Sequence, residues 1–287
     1  MLDLPKDPSN QEGRVSVYRL PGLSNRAASV VVKMAEDAFP DWHRPRGRPK
    51  AVDLVDALRL ALTHLRRNTT YEELGQDNTL AASTAWSYVQ TMTAFLADAL
   101  GVDAAWLAVM VRDKVCLVDG TLVTVFNWRH RSDLYSGKHR RYGMNLQVVV
   151  DLHGRLVGMS RPLPGSWHDV HCLVESGLMP ALSGSGGWIG DAGYQGRAGI
   201  SPIKKKPGVD RAAPDREFNT ALAKLRAPGE WANAHLKNWR ILATRYRGDL
   251  RRLDNVTAAV CGLQILNEQF SERRLSFDRV HSVLISE

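Results

Sequence analysis

The chain has 287 residues, with 38 Lys and Arg against 30 Asp and Glu, a formal net charge of +8. Apolar residues make up 44% and charged residues 24%, which excludes disorder as the main state and leaves one large domain or two unequal ones. Three scattered cysteines, Cys116, Cys172 and Cys261, exclude a disulfide framework, argue against a structural zinc site and point to a reducing compartment. The first ten residues hold no apolar signal core. The longest uncharged stretch, 78–97, has too many Asn, Ser, Thr and Gln residues for a membrane span. A soluble, cytoplasmic protein is expected.

In chain order, 24–38 reads as a helix stopped by Pro40. Arg46-Gly47-Arg48-Pro49 reads as a basic hinge. Apolar residues at Val52, Val55, Leu58, Leu62 and Leu65 mark the buried face of a helix over 52–65. Thr70 and Glu73 have the spacing of a capping box, so a short helix is expected from Thr70 to about Asn78. After a turn at 79–81, a long helix runs to Leu100 and stops at Gly101. Short helix, turn and long helix resemble a helix-turn-helix. Ser83, Thr84 and Ser87, with Trp86 and Gln90, stand near the start of its second helix, where polar side chains could meet bases or phosphates. The same pattern also suits a plain helical bundle.

From residue 114 the texture changes to β-branched runs. Strands are expected over 114–126, 145–150 and 155–160, then a helix over 169–182, a strand from 187 and a fifth strand over 199–204. Helices follow over 214–225, 230–243 and 253–270, with Pro228-Gly229 interrupting the first two. Strands mixed with helices give an α/β class with a mixed sheet. Basic clusters at 43–50, 129–141, 204–206 and 240–252 have no matching acidic runs. Each alone reads as a solvated face, but together they favour nucleic acid as partner.

Three acids stand where chemistry would want them. Asp119 and Asp191 each end an apolar run and adjoin glycines, and Glu230 opens a helix. An Asp after Cys116-Leu117-Val118 is costly without water, a hydrogen bond or a metal. Two strand-end carboxylates of one sheet suit a hard divalent cation, and a helix carboxylate could complete the set. Taken singly, Asp119 and Asp191 read as turn residues and Glu230 as a first-turn helix acid.

The order Val118-Asp119-Gly120-Thr121, Tyr135-Ser136-Gly137-Lys138-His139, Pro164-Gly165-Ser166-Trp167-His168-Asp169, Gly190-Asp191-Ala192-Gly193-Tyr194, and Glu230 before Leu236-Lys237-Asn238-Trp239-Arg240 resembles the Asp-Asp-Glu (DDE) transposases. Within them it is similar to the bacterial insertion-sequence-five group, related to the Harbinger superfamily, over roughly residues 46–270. The resemblance implies a ribonuclease-H-like catalytic domain with a mixed five-stranded sheet over 109–270, behind a helix-turn-helix domain over 46–108. A helical segment over 1–45 and a tail over 271–287 would flank them.

It further implies that Asp119, Asp191 and Glu230 hold two Mg2+ ions, with Mn2+ as a substitute. The activity implied is cleavage of element ends and transfer of the freed 3′-hydroxyl to target DNA. The partners are double-stranded terminal inverted repeats and target DNA, with at least a dimer formed on DNA and no membrane. Lys237 is assigned to phosphate, Lys138, Arg140 and Arg141 to DNA backbone, and Arg46 and Arg48 to DNA from the hinge. His168 and Asp169 read as a helix cap or as support for the ligands.

Two features depart from the pattern. Ala227-Pro228-Gly229 stands where apolar helical residues are usual, and Trp231 where arginine is usual. Pro228-Gly229 is expected to start or kink the helix at Glu230, with Glu217 as a lower-ranked alternative acid. Two rival readings stay open: a catalytically silent DNA-binding protein derived from a transposase, and a nuclease without strand transfer.

Overall fold

The computed structural model describes residues 18–42, 49–126, 128–197 and 199–270. Arg46 and Arg48 of the expected hinge, and the tail over 271–287, lie outside the described residues.

Local cap chemistry sets the first helices. Ser24 Oγ accepts the Ala27 N–H to start α1 (Asn25–Ala38), and Asp53 accepts the Asp56 N–H to start α2 (Leu54–Arg67). The capping box forms at α3 (Tyr71–Asp77): the Glu73 N–H reaches Thr70 Oγ at 3.1 Å, and the Thr70 N–H reaches Glu73 Oε2 at 2.9 Å. A turn leads to α4 (Ala82–Leu100). A helix the sequence did not announce, α5 (Ala104–Val111), follows, capped by Asp103. Its residues, AAWLAVMV, are apolar on every side and carry no helical period.

The sheet has six strands: β1 (Val115–Thr124), β2 (Tyr135–Ser136), β3 (Arg141–Asp151), β4 (Leu156–Met159), β5 (Leu163–Pro164) and β6 (Gly187–Ile189). β3 pairs antiparallel with β1, β2, β4 and β5, while β1 pairs parallel with β6, so the sheet is mixed. The fifth strand expected over 199–204 shrinks to one parallel bridge between Ile189 and Ile200. Pro202 lacks the N–H that would extend that ladder.

The helix expected over 169–182 is split into α6 (Asp169–Glu175) and α7 (Met179–Ser183), because Gly177 turns left-handed at φ +77°. Pro228-Gly229 does not interrupt its helix. α8 runs unbroken over Ala213–Leu236 and is followed by the single turn α9 (Arg240–Ala243) and by α10 (Leu253–Gln269).

Alternation along β1 feeds two cores. Leu117 and Val123 face a large core shared with α1–α4, α8 and α10, while Cys116 and Val118 face a smaller one with α5–α7, Trp188 and Tyr194. Trp239, just past α8, is fully buried in the large core and donates its ring N–H to Gln264 of α10 at 2.9 Å. No single helix among the described residues is long and apolar enough to cross a membrane. α4 with α5, bent by 47°, passes by length and composition together, and the buried face of α4 is part of the large core.

Candidate active site

Asp119 is the fifth of the ten residues of β1, in mid-strand and not at its end as expected, on the face turned to α8. Its Oδ1 accepts the Gly120 N–H at 3.0 Å and its Oδ2 accepts Asn233 Nδ2 of α8 at 2.7 Å. Asp191 follows β6 and caps a 3-10 turn, Ala192–Tyr194, by accepting the Gly193 N–H on Oδ1 at 2.7 Å. The turn role read for Asp191 is therefore real, and Oδ2 is left facing Lys138 at 4.0 Å.

Asp169 is the first residue of α6. It does not serve as a cap: His168 holds the cap position, exposed and without a side-chain bond to the helix. The Asp169 carboxylate turns inward instead, accepting Asn145 Nδ2 and Lys138 Nζ, each at 2.9 Å. Gly120 makes room for it, since a Cβ there would stand 2.4 Å from Asp169 Oδ1.

These placements show in the electrostatics. Burial pushes the Asp119 carboxyl above the usual aspartate range. The Asp191 charge adds to this and Asp169 contributes less, against Arg226 and the Gly120 N–H. Burial alone would lower the Lys138 ammonium. Its hydrogen bond to Asp169 and the charges of Asp169, Asp191 and Asp119 outweigh that and raise it.

An open cleft of about 780 Å³ extends from Asp119. Glu230, Asn233, Lys237, Lys138, His139 and Arg141 are among its lining residues. Glu230 is exposed on α8, on the same cleft wall as Asn233. Asp191 is not in that lining, and among the described residues no three His, Cys, Asp or Glu side chains converge closely enough to hold a metal ion together. The structure thus joins Asp119 to Asp191 and Asp169 through their charges, and Asp119 to Glu230 through a shared cleft. It does not draw the three expected acids into one cage. Glu217 is exposed farther back on α8 and is not in the cleft lining.

The donor set still suits a hard divalent cation. The donors are carboxylate oxygens, an ammonium group already stands among them, and Asn233 Oδ1 is buried beside Asp119 with no hydrogen-bond partner.

The other predicted residues are spread more widely. Lys237 ends α8 at its C-cap and faces the cleft. Arg140 is exposed beside Arg141, in a left-handed backbone conformation at φ +50°. Ser83 and Ser87 are exposed and Thr84 half-buried on the first turns of α4, where the Arg252 guanidinium lies over the Trp86 ring at 4.9 Å. Ala243, expected at the end of a helix over 230–243, is exposed and lines the cleft, because α8 ends before it. Asn233, Asn145 and Gln147 were not read from the sequence. The available signals were Asn233 three residues after Glu230 on one helix face, and two amides inside an apolar strand.

The site is thus a set of aspartates on and beside a mixed sheet, next to an open basic cleft. Residues 118–264 match the family model described as DDE superfamily endonuclease, and the chain belongs to that family. It is 32% identical over 232 residues to a protein of Streptomyces albus G that bears a transposase name for the insertion sequence element IS112, covering 79% of this chain and 86% of that one. It is 24% identical over 255 residues to a protein of Microchaete diplosiphon that bears a transposase name for the element IS702, covering 85% and 91% of the two chains.

Proposed function

We propose that this chain is the DNA transposase of an insertion sequence, of the insertion-sequence-five group and Harbinger-like kind. It would cut element ends and join the freed 3′-hydroxyl to target DNA. One observation carries the reading: Asp119 opens onto a cleft whose walls bear Lys138, Arg141 and Lys237, and Lys138 reaches from that wall to the carboxylates of Asp169 and Asp191. Clustered carboxylates, one of them buried and held above the usual aspartate range, suit a cation, and a basic cleft beside them suits a polyanion.

In this reading Asp119, Asp191 and Glu230 hold two Mg2+ ions, or Mn2+, whose charge would activate a water and steady the leaving oxygen of a phosphodiester. Asn233 keeps Oδ2 of Asp119 oriented. Lys237 and Arg141 would carry the DNA backbone past Asp119, with Lys138 at the same wall, and Arg140, exposed beside Arg141, would add a contact from outside the cleft. Glu230 would complete the site once DNA fills the cleft. α3 and α4 form a helix-turn-helix that presents Ser83, Thr84 and Ser87 to the terminal repeats, with Arg46 and Arg48 adding contacts from the hinge. The division into 46–108 and 109–270, the dimer on two DNA ends and a cytoplasmic site of action belong to the same proposal.

The test is nicking of duplexes that carry the element's terminal repeats, in Mg2+ and in Mn2+. Asp119→Asn is expected to lower the rate by at least about a hundredfold. A wild-type rate in that variant would remove Asp119 from the metal site. Joining of products to a target plasmid separates a transposase from a plain nuclease. The silent reading is favoured by one observation, that Glu230 stands exposed and apart from Asp191. Repeat-specific binding with no cleavage in either metal would select it.

A further inference from the structure

A line of hydrogen bonds runs through the sheet beneath the cleft. The Tyr194 hydroxyl donates to Gln147 Oε1 at 2.6 Å, Gln147 Nε2 donates to Asn145 Oδ1 at 2.8 Å, and Asn145 Nδ2 donates to Asp169 Oδ1 at 2.9 Å. Tyr194 and Gln147 are fully buried and Asn145 nearly so. Each donor points toward Asp169, whose other oxygen accepts Lys138 Nζ at 2.9 Å. Both Asp169 oxygens are therefore committed.

Its carboxylate also lies between the middle of β1 and the turn after β6. Oδ1 fills the space beside Gly120, next to Asp119, and Oδ2 lies 3.6 Å from where a Cβ on Gly193, two residues past Asp191, would stand. A group fixed this firmly from below fixes what it holds above. It holds the Lys138 ammonium, 4.0 Å from Asp191 Oδ2.

We propose that Asp169 is a positioning residue that parks Lys138 among the carboxylates as an internal cation, so that a divalent ion must displace Lys138 to bind. The inference rests on the metal reading above and adds a competitor to it. An ammonium ion within a few ångströms of Asp191 neutralises part of the repulsion among the three carboxylates in the metal-free protein. For the same reason it opposes an incoming divalent ion.

Mn2+ binding to the full-length protein, followed by electron paramagnetic resonance, tests this without relying on activity. Removing the competing charge in Lys138→Met is expected to tighten Mn2+ binding by on the order of tenfold. Lys138→Arg, which keeps the charge, is expected to bind as the wild type does. If Asp169 is what parks the lysine, the effect of Lys138→Met should shrink below about twofold in an Asp169→Asn background.

Mn2+ affinity in Lys138→Met equal to or weaker than wild type would overturn the inference. So would equal tightening in Lys138→Arg, or an undiminished effect in the Asp169→Asn background. The parent reading fails separately: wild-type protein that binds no Mn2+, or binding that Asp119→Asn leaves intact, removes the metal site itself.

Discussion

Burial and the charge of Asp191 hold the Asp119 carboxyl above the usual aspartate range, with Arg226 pulling the other way. A carboxyl raised on folding contributes stability that is fully present below its unfolded pKa and is lost as pH rises through its folded value. Above that value the metal-free protein carries an ionised group that it holds at a cost. Asp119→Asn removes the charge and keeps an acceptor for Asn233. The variant is therefore expected to melt at a higher temperature than wild type near neutral pH, with the gap closing below the ordinary aspartate pKa. Thermal melts across pH in a chelator check this. A lower melting temperature at neutral pH would mean that the charge is already compensated within the protein. Such a conflict between stability and site is common where function needs like charges together.

α8 carries Pro228 in its interior, where proline removes one backbone hydrogen bond and crowds the preceding turn. What keeps the helix whole is packing: Gly229 is buried, with Leu117 of β1 3.6 Å and Val150 of β3 3.9 Å from where its Cβ would stand. Pro228→Ala is expected to stabilise the protein by roughly 1–3 kcal/mol in chemical unfolding. A loss of stability would show that Pro228 is needed to seat Gly229 and Asn233.

The same helix marks the limit of what the sequence discloses at this scale. Thr70 with Glu73 was legible, because a cap is settled within four residues. The break at Pro228 was misread because strands more than seventy residues away support it. Of the two roles read for Asp169, cap or support for the ligands, the cap does not form, since Asn145 and Lys138 outbid its own helix. Apolar α5 has no period to read, and the run of amides through Gln147 becomes visible only when β3 is laid beside β1 and Tyr194.

At the level of the whole molecule, one core runs from α1 through α4 into α8, α10 and one face of the sheet. Trp239 is a joint of it, fully buried, bonded to Gln264 of α10 and lying under the Arg66 guanidinium of α2 at 5.4 Å. Trp239→Ala is expected to cost about 3–5 kcal/mol while unfolding stays a single transition. Two separated transitions in wild type or variant would show that the helical part and the sheet hold together independently. The order of acids along the chain was legible, as was the basic character of the surface between them. Their spacing in the folded protein was not, because it depends on where α8 and α6 come to rest on the sheet.

At the centre of the proposed function, Asp119 of β1 and Asp191 after β6 hold divalent ions beside a DNA cleft. An anomalous-difference map from crystals saturated with Mn2+ tests it most directly. The account predicts a peak in contact with the carboxylates of both Asp119 and Asp191. Bound manganese elsewhere with nothing touching Asp119 would contradict it.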